Sequence, residues 1–452
     1  MELLKRKIDD YLMEWKSRDD RLPLIVKGAL QVGKTKSIQF FASKTYEHVV
    51  EINFALQPAY TSIFNDGFEV STILKNISLI NPSFVFVPHK TLIFFDELQD
   101  CPKCATSLKP FKLDGRYDVI CSGSMMGVNY HEIELNSVGF KEDFEMYSLD
   151  FEEFLWAKGY SSEQIEDLYQ HMNTLTPFSA LEMDIMIGHF RDYMVIGGMP
   201  AIVDSFVKNG TFSGTLRLQR QIIADYEEDI TKYAKELKKV KTLSVYRKIP
   251  TFLGRDNKKF QITHVERGAR SREYEGVTTW LHQAGIIHIC HCLDQPELPL
   301  GGNYDPDNFK LYFSDTGLLI GALDEEAQID LRENKNFNTY KGAIYENIVA
   351  EMLVKQGYAL YFWRNSSSTL EIDFFIRDAD SLIPIEVKAQ KSPSPSLVRL
   401  VTSSTYPQIR YGIKLSSNNI GFNGQFYTFP YFLTFLLKRF LREHPHLGSS
   451  IP

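Results

Sequence analysis

The stretch GALQVGKT, Gly28 to Thr35, has the G-x-x-x-x-G-K-T spacing of a loop that cradles phosphates. It follows the apolar run PLIVK and opens into the helical pattern KSIQFFASKTY, the strand–loop–helix setting such a loop needs. Gly28 and Gly33 let the backbone turn and approach phosphate, while the amides of Leu30, Gln31, Val32, Gly33, Lys34 and Thr35 and the helix N-terminus supply positive potential. Ala29 and Lys36 complete the candidate nucleotide contacts. Lys34 is expected to reach the β and γ phosphates, and the Thr35 hydroxyl to ligate magnesium. Downstream, TLIFFDELQD (Thr91 to Asp100) reads as a buried strand delivering two carboxylates at its C-terminal edge, where ligands of parallel sheets sit. Asp96 is the candidate for holding magnesium through its water shell, and Glu97 for polarising the attacking water. YDVICSGS (Tyr117 to Ser124) is a further strand; Ser122 or Ser124 either senses the γ-phosphate or forms a turn.

A second constellation lies near the other end. GAIYENIVAEMLVKQG, Gly342 to Gly357, is an amphipathic helix on which Glu346 shares the apolar face of Val349, Ala350 and Leu353. A carboxylate pointed inward is costly unless something is bound to it. The strands YALYFWRN, EIDFFIRD and SLIPIEVKAQ follow, with Glu371 and Asp373 on one face and Glu386 and Lys388 on one side of the last. Asp373, Glu-x-Lys and the helix glutamate together resemble the PD-(D/E)xK nuclease core. That resemblance implies Asp373 and Glu386 as metal ligands, Lys388 as the residue that orients water and steadies phosphate charge, and Glu346 as completing the metal shell. The structural alternative is that Lys388 pairs with Asp373 and Glu386 in a domain kept for binding.

Between these constellations the pattern is first helical, Phe151 to about Lys232, broken by the GGMP turn at Gly197 to Pro200, whose glycines are expected to make a tight turn against the nucleotide domain. Lys238 to Leu323 fits a winged helix, with IIHICHCL and FKLYFSDTGLL as wing strands. From Lys232 to Arg272 there are 13 Lys or Arg against 3 Asp or Glu. Lys258, Lys259, Arg267, Arg270 and Arg272 surround the reading helix and are either phosphate contacts or a solvated or protein-docking basic face. Cys101 and Cys104 have the spacing of half a zinc site, and His288, Cys290, His291 and Cys292 crowd together. Neither has a clean second half, and the alternation of His288, Cys290 and Cys292 suits a filled core.

GALQVGKT, IFFDELQD, CSGSMMG and SLDFEEFLWAKG, continued by YMVIGGMPAIV, FKLYFSDTGLL and KGAIYENIVAEML, resemble the prokaryotic AAA-superfamily ATPases that carry a conserved C-terminal extension of the DUF4143 type. The resemblance covers nearly the whole chain. It implies an α/β fold with a P-loop ATPase domain (1–150), a helical lid (151–232), a winged-helix-like domain (233–325), a restriction-endonuclease-like domain (326–441) and an unstructured tail (442–452). It also implies ATP and magnesium as cofactors, with hydrolysis coupled to nucleic-acid binding or cleavage; the alternative is a regulatory ATPase that binds protein or DNA without cutting. The sequence departs from the family where Leu30 replaces an arginine and where GFKED, with Lys141, replaces a glycine–arginine pair. Slow hydrolysis, and a monomer or weak dimer without nucleotide, are the corresponding expectations.

Composition agrees with such a protein. A chain of 452 residues with 44% apolar and 24% charged residues is long enough for several cores and excludes collagenous, disordered and disulfide-scaffold classes. Five cysteines point to a reducing compartment, and with no secretory h-region at the amino terminus the expected location is cytoplasmic. The formal charge of -7 means that the rest of the chain outweighs the basic segment.

Overall fold

Five short runs in the first third of the chain pair into one all-parallel sheet: β1 (Leu24–Gly28), β2 (His48–Asn53), β3 (Thr91–Asp96), β4 (Asp118–Ser124) and β5 (Glu142–Glu145), in the order β2-β3-β4-β1-β5. Every residue of β3 is buried, as expected of a central strand covered on both faces. One face packs Ile25, Ile52, Ile93 and Phe95 against Leu108 and Phe111 of the helix Lys103–Asp114. The last strand begins at Glu142, two residues before the run at Phe144 suggested. The order sets the C-terminal ends of β1, β3 and β4 side by side, and those ends carry the phosphate loop, Asp96 and the two serines.

The computed structural model describes residues 4–124, 137–234, 238–255, 258–269, 271–274, 276–333, 335, 339–365, 370–378, 381–389 and 392–445. Arg270, the MMG of CSGSMMG and residues 446–452 of the expected tail lie outside them. The final helix, Leu437–Glu443, runs into the stretch read as tail. Among the described residues no helix is long and apolar enough to cross a membrane. The chain divides into two units: Met1–Ser148 with Glu228–Glu236 and Gln283–Gly285, and Leu149–Glu227 with Leu237–His282 and Ile286–Pro452.

The second unit opens with the expected helices. Phe151–Ala157, Ser162–Asn173 and Ala180–Ile196 each begin with a capping box, from Asp150, Ser161 and Ser179, which satisfies amides the helix leaves unpaired. Its sheet has eight strands: β6 (Ile287–Leu293), β7 (Tyr304–Phe313), β8 (Leu360–Arg364), β9 (Glu371–Asp378), β10 (Ser381–Lys388), β11 (Gly412–Ser416), β12 (Gly421–Phe422) and β13 (Phe426–Pro430), in the order β12-β13-β11-β10-β9-β8-β6-β7. The strands read as a wing, β6 and β7, are therefore the end pair of this sheet, β6 lying parallel to β8. Ile287, Cys290, Cys292 and Leu293 are buried, as suits a strand with a partner on each side. His288 is buried too, and burial pushes its imidazole pKa down to about 3, so it is a neutral core residue. Helix α1 (Thr339–Lys355) precedes β8, and α2 (Pro395–Val401) connects β10 to the parallel β11.

The glycines of GGMP do their work inside this second unit. A Cβ on Gly198 would lie 2.0 Å from the Leu149 carbonyl oxygen, and one on Gly197, whose φ is 75°, would lie 2.0 Å from Asp315 Oδ1. The Gly198 amide donates to Asp315 Oδ2 at 2.8 Å, and the Leu149 amide to the Gly198 carbonyl at 2.7 Å. So the turn packs against Leu149, at the end of the stretch expected to form the nucleotide domain, and against the SDTG segment. Beside it, fully buried Glu351 on α1 accepts from the Thr316 amide and hydroxyl (both 2.7 Å) and Tyr193 (3.0 Å), and pairs with Lys355 (2.6 Å). Asn347 completes the hub by bonding the Phe313 amide and carbonyl and the Thr316 hydroxyl.

Candidate functional site

The phosphate loop turns through two backbone positions of positive φ, Gln31 at 62° and Gly33 at 101°, and then enters the helix Lys34–Thr45. Gly28 is a glycine for a different reason from the one the motif suggests: an added Cβ would meet the Met146 carbonyl at 2.1 Å, so close packing of β1 excludes a side chain there. Lys34 is buried, with its ammonium donating to the Gly28 and Ala29 carbonyls at 3.1 and 2.8 Å. Burial lowers its pKa to about 8, against the pull of Glu97 and Asp96.

Asp96, also buried, is the centre of the site. The Thr35 hydroxyl lies 3.2 Å from both of its carboxylate oxygens, Asn53 donates to Oδ2 at 2.9 Å, and the Ser122 hydroxyl donates to Oδ1. Ser122 thus holds the carboxylate, and the Ser124 amide donates to Gln99 Oε1 at 3.1 Å. Glu97 leaves β3 with φ 57°, a left-handed conformation uncommon outside glycine. Its carboxylate accepts from Gln99, and burial raises its pKa. Asn53 and Gln99 were missed by motif reading; Asn53 ends β2, beside β3, and reaches Asp96, a position only the sheet order reveals, while Gln99 lies in the short turn Leu98–Asp100 and reaches back to Glu97. Leu30, Gln31 and Lys36 lie in or just after the loop, as expected. Lys141 pairs with Asp143 at 2.5 Å, so it is held by its own strand neighbour.

Residues 20–155 match the family model described as an AAA domain. This is an AAA-type ATPase domain. Beyond the AAA domain, residues 187–329 match a domain of unknown function, DUF8612, and residues 341–432 another, DUF4143. In the comparison with curated proteins nothing matches. Similar solved structures include a Walker-type ATPase of Pyrococcus abyssi, 11% identical over 71% of this chain and 96% of that one, TM-score 0.44. The Orc1 protein of Aeropyrum pernix in complex with DNA is 9% identical over 73% and 91%, TM-score 0.25. A signal-transduction ATPase of the STAND class with a tetratricopeptide-repeat sensor, from Pyrococcus horikoshii, is 11% identical over 79% of this chain and 46% of that one, TM-score 0.27.

In the AAA domain, Lys34 supplies a first testable consequence. With a pKa near 8, its ammonium is partly neutral at pH 8.5, and phosphate arriving beside it favours the charged form. ATP binding at pH 8.5 should therefore take up a fraction of a proton, and at pH 6.5, where the lysine is already protonated, it should not. Calorimetry in two buffers of different ionisation enthalpy measures this; equal apparent enthalpies at pH 8.5 would contradict it.

The second constellation is brought together in the second unit. The β9–β10 register pairs Phe374 with Ile385, so one step further Asp373 faces Glu386, and the Val387 amide donates to Asp373 Oδ2 at 2.8 Å. Lys388 pairs with Glu386 at 2.6 Å, while Glu386 Oε2 is buried with no hydrogen-bond partner among the described residues. Glu346 on α1 does face inward, and what is bound to it is Lys258, together with the Tyr312 hydroxyl at 3.2 Å and Lys310 at 3.9 Å. Lys310 also pairs with Glu371 at 2.7 Å, and Arg364 lies 3.5 Å from the same carboxylate. Burial opposes ionisation of Glu346, but Lys258 and Lys310 outweigh it and hold its pKa below the ordinary value. Burial and the Glu346 charge push Asp373 up to about 7. Lys310 and Tyr312, two apart on β7, were missed; a lysine inside the apolar run FKLYF was the available signal.

Lys258 is thus a buried-pair partner and not the surface phosphate contact the basic run suggested. Lys259 is half-buried and has partners of its own; Arg267 and Arg272 are exposed. Other charges of the run are paired internally, Lys241 with Glu273 at 2.8 Å and Arg247 with Glu227 at 2.5 Å. The cysteines of the half zinc site are buried and free, with burial raising Cys101 to about 11, so it stays a thiol. Among the described residues no group of three or more His, Cys, Asp or Glu is arranged to hold a metal ion.

Proposed function

We propose that the AAA domain binds ATP with magnesium through Gly28 to Thr35 and hydrolyses it. The single observation that carries this reading is the buried cluster of Lys34, Thr35 and Asp96 at the C-terminal ends of β1 and β3. The donor set fits: a threonine hydroxyl beside a buried carboxylate would hold magnesium, and a desolvated ammonium on loop carbonyls exchanges those weak partners for phosphate oxygens. Bound magnesium would screen phosphate charge. Asn53 and Ser122 keep Asp96 oriented, which makes them positioning residues. Glu97, its pKa raised by burial, accepts the proton of the attacking water once Gln99 releases it. With Glu97 engaged by Gln99 and Lys141 tied to Asp143, turnover is slow. Glu97→Gln should keep ATP affinity within about threefold and lower turnover by 10²-fold or more, the usual scale for a general base. Steady-state hydrolysis beside equilibrium binding tests it; unchanged turnover would move the base elsewhere.

For the second unit we propose a nuclease-derived scaffold that binds nucleic acid. Its support is the run α1–β8–β9–β10–α2–β11, a helix, three antiparallel strands, a helix and a parallel strand, with Asp373, Glu386 and Lys388 on adjacent strands. As folded the carboxylates do not fit a divalent ion: Glu346 is held by Lys258, Asp373 by the Val387 amide and Glu386 by Lys388. Binding without cleavage is therefore the reading for this state, with exposed Arg267 and Arg272 as the phosphate contacts.

A further inference from the structure

The phosphate loop is held from behind by a residue outside its motif. Arg6 stands just before the helix Lys7–Ser17, which buries Ile8, Leu12 and Trp15. The Trp15 ring meets Phe41, on the helix that follows the loop, edge-on with centroids 6.5 Å apart. The backbone of Arg6 is tied to its own helix: its amide donates to Asp9 Oδ2 at 2.9 Å, and its carbonyl accepts from the Asp9 amide at 3.0 Å. The Arg6 side chain, buried, runs to the loop. Nη1 donates to the Val32 carbonyl at 2.8 Å and Nη2 to the Tyr147 carbonyl at 2.7 Å. Tyr147 follows β5, and its neighbour Met146 donates its amide to the Lys27 carbonyl of β1 at 2.7 Å. One guanidinium therefore fastens the loop to backbone that the sheet already fixes. A rigid planar fork with several N–H donors suits that span, and a lysine ammonium does not reproduce it.

We propose that Arg6 is a positioning residue of the nucleotide site: it holds the Val32 carbonyl away from the phosphates and so aims the Gly33 amide at them. The geometry of one peptide unit carries this. In a trans, planar peptide the Val32 C=O and the Gly33 N–H point to opposite sides of the bond that joins them. With the carbonyl bonded to Arg6, the amide faces the other way. Turning that unit over uses ψ of Val32 and φ of Gly33, and a glycine, here at φ 101°, resists the rotation little. Without Arg6 the same unit is free to present a carbonyl oxygen, which repels phosphate, in place of a donor. The inference rests on the reading that nucleotide binds at Gly28 to Thr35.

Calorimetric titration of ATP and of ADP into the full chain tests it. The amides of such a loop meet the α and β phosphates, which both nucleotides carry. Arg6→Ala should therefore weaken ATP and ADP by the same factor, about tenfold or more, the scale of one hydrogen bond to a charged group. Binding stoichiometry should stay that of the parent, and in steady-state hydrolysis KM should rise while kcat stays within about twofold. A merely structural role moves other quantities: stoichiometry and kcat fall together as part of the chain unfolds, and the dissociation constant and KM of the folded remainder are unchanged. Arg6→Lys, which keeps the charge without the fork, serves if circular dichroism shows that alanine prevents folding; it should lose about threefold or more for both nucleotides. A folded variant that binds both nucleotides within about twofold of the parent, or one that loses only stoichiometry and kcat, overturns the positioning role and leaves the phosphate-loop reading standing. A parent that binds neither nucleotide overturns that reading, and this role with it.

Discussion

Lys34→Ala should lower ATP affinity on the order of 10²-fold, about 3 kcal/mol, while leaving the fold intact. The size follows from what the ammonium gains on binding. It is desolvated, its partners among the described residues are the Gly28 and Ala29 carbonyls, and burial lowers its pKa to about 8. Charged phosphate oxygens are far better partners than two neutral carbonyls. The fold is spared because both carbonyls that the ammonium bonds belong to the same loop. The motif alone suggests an exposed lysine; its burial changes the expected control. Without nucleotide the variant should melt within about 2 °C of the parent, and the stabilisation that ATP confers on the parent should vanish. Calorimetric binding and melting curves with and without ATP check both parts. Undiminished affinity would remove the phosphate-loop assignment.

Glu351→Ala should cost the second unit about 3–5 kcal/mol, the range for breaking a buried ion pair by removing one partner. Four donors converge on this carboxylate, and the substitution takes the carboxylate partner from the Lys355 ammonium, which is itself 3% exposed and lies beside the Leu149 carbonyl and Tyr193 hydroxyl. The same change releases Thr316, and with it the SDTG segment that receives the GGMP turn. A fall in melting temperature on the order of 10 °C is expected by scanning calorimetry. Adding Lys355→Met should recover part of the loss, since the stranded charge is then gone. A single-variant loss under about 1 kcal/mol would mean that the hub is not what holds the two turns together.

The phosphate loop was legible because its chemistry is local: eight consecutive residues state the spacing, and the flanking strand and helix are contiguous with them. Asp96 and Glu97 were legible from the apolar strand before them. Glu346 announced itself as an acid on an apolar face, and the sequence said that something must be bound to it without saying what. The partner, Lys258, is 88 positions away, and its neighbours in a basic run made it look like surface charge. For the same reason β6 and β7 were misread. As a hairpin they resemble a wing, and only the parallel pairing of β6 with β8, across the 66 residues between Leu293 and Leu360 that no local pattern encodes, puts them in the large sheet. The GGMP glycines were recognised as a tight turn, but what they approach, Asp315 and Leu149, lies outside any window of sequence.

The position of β6 has a practical side. A fragment cut to the expected fourth domain, 326–441, would keep β8 and lose the strand that hydrogen-bonds to its outer side. Leu360, Phe362 and Trp363 would then stand along a bare strand border, with unpaired amides and carbonyls between them, which is how strands recruit copies of themselves. Such a fragment should precipitate or form ladders of cross-paired chains, and one extended back to Ile286 should stay dispersed. Anyone dissecting this chain into pieces should therefore place the cut by strand pairing and not by where the motifs begin.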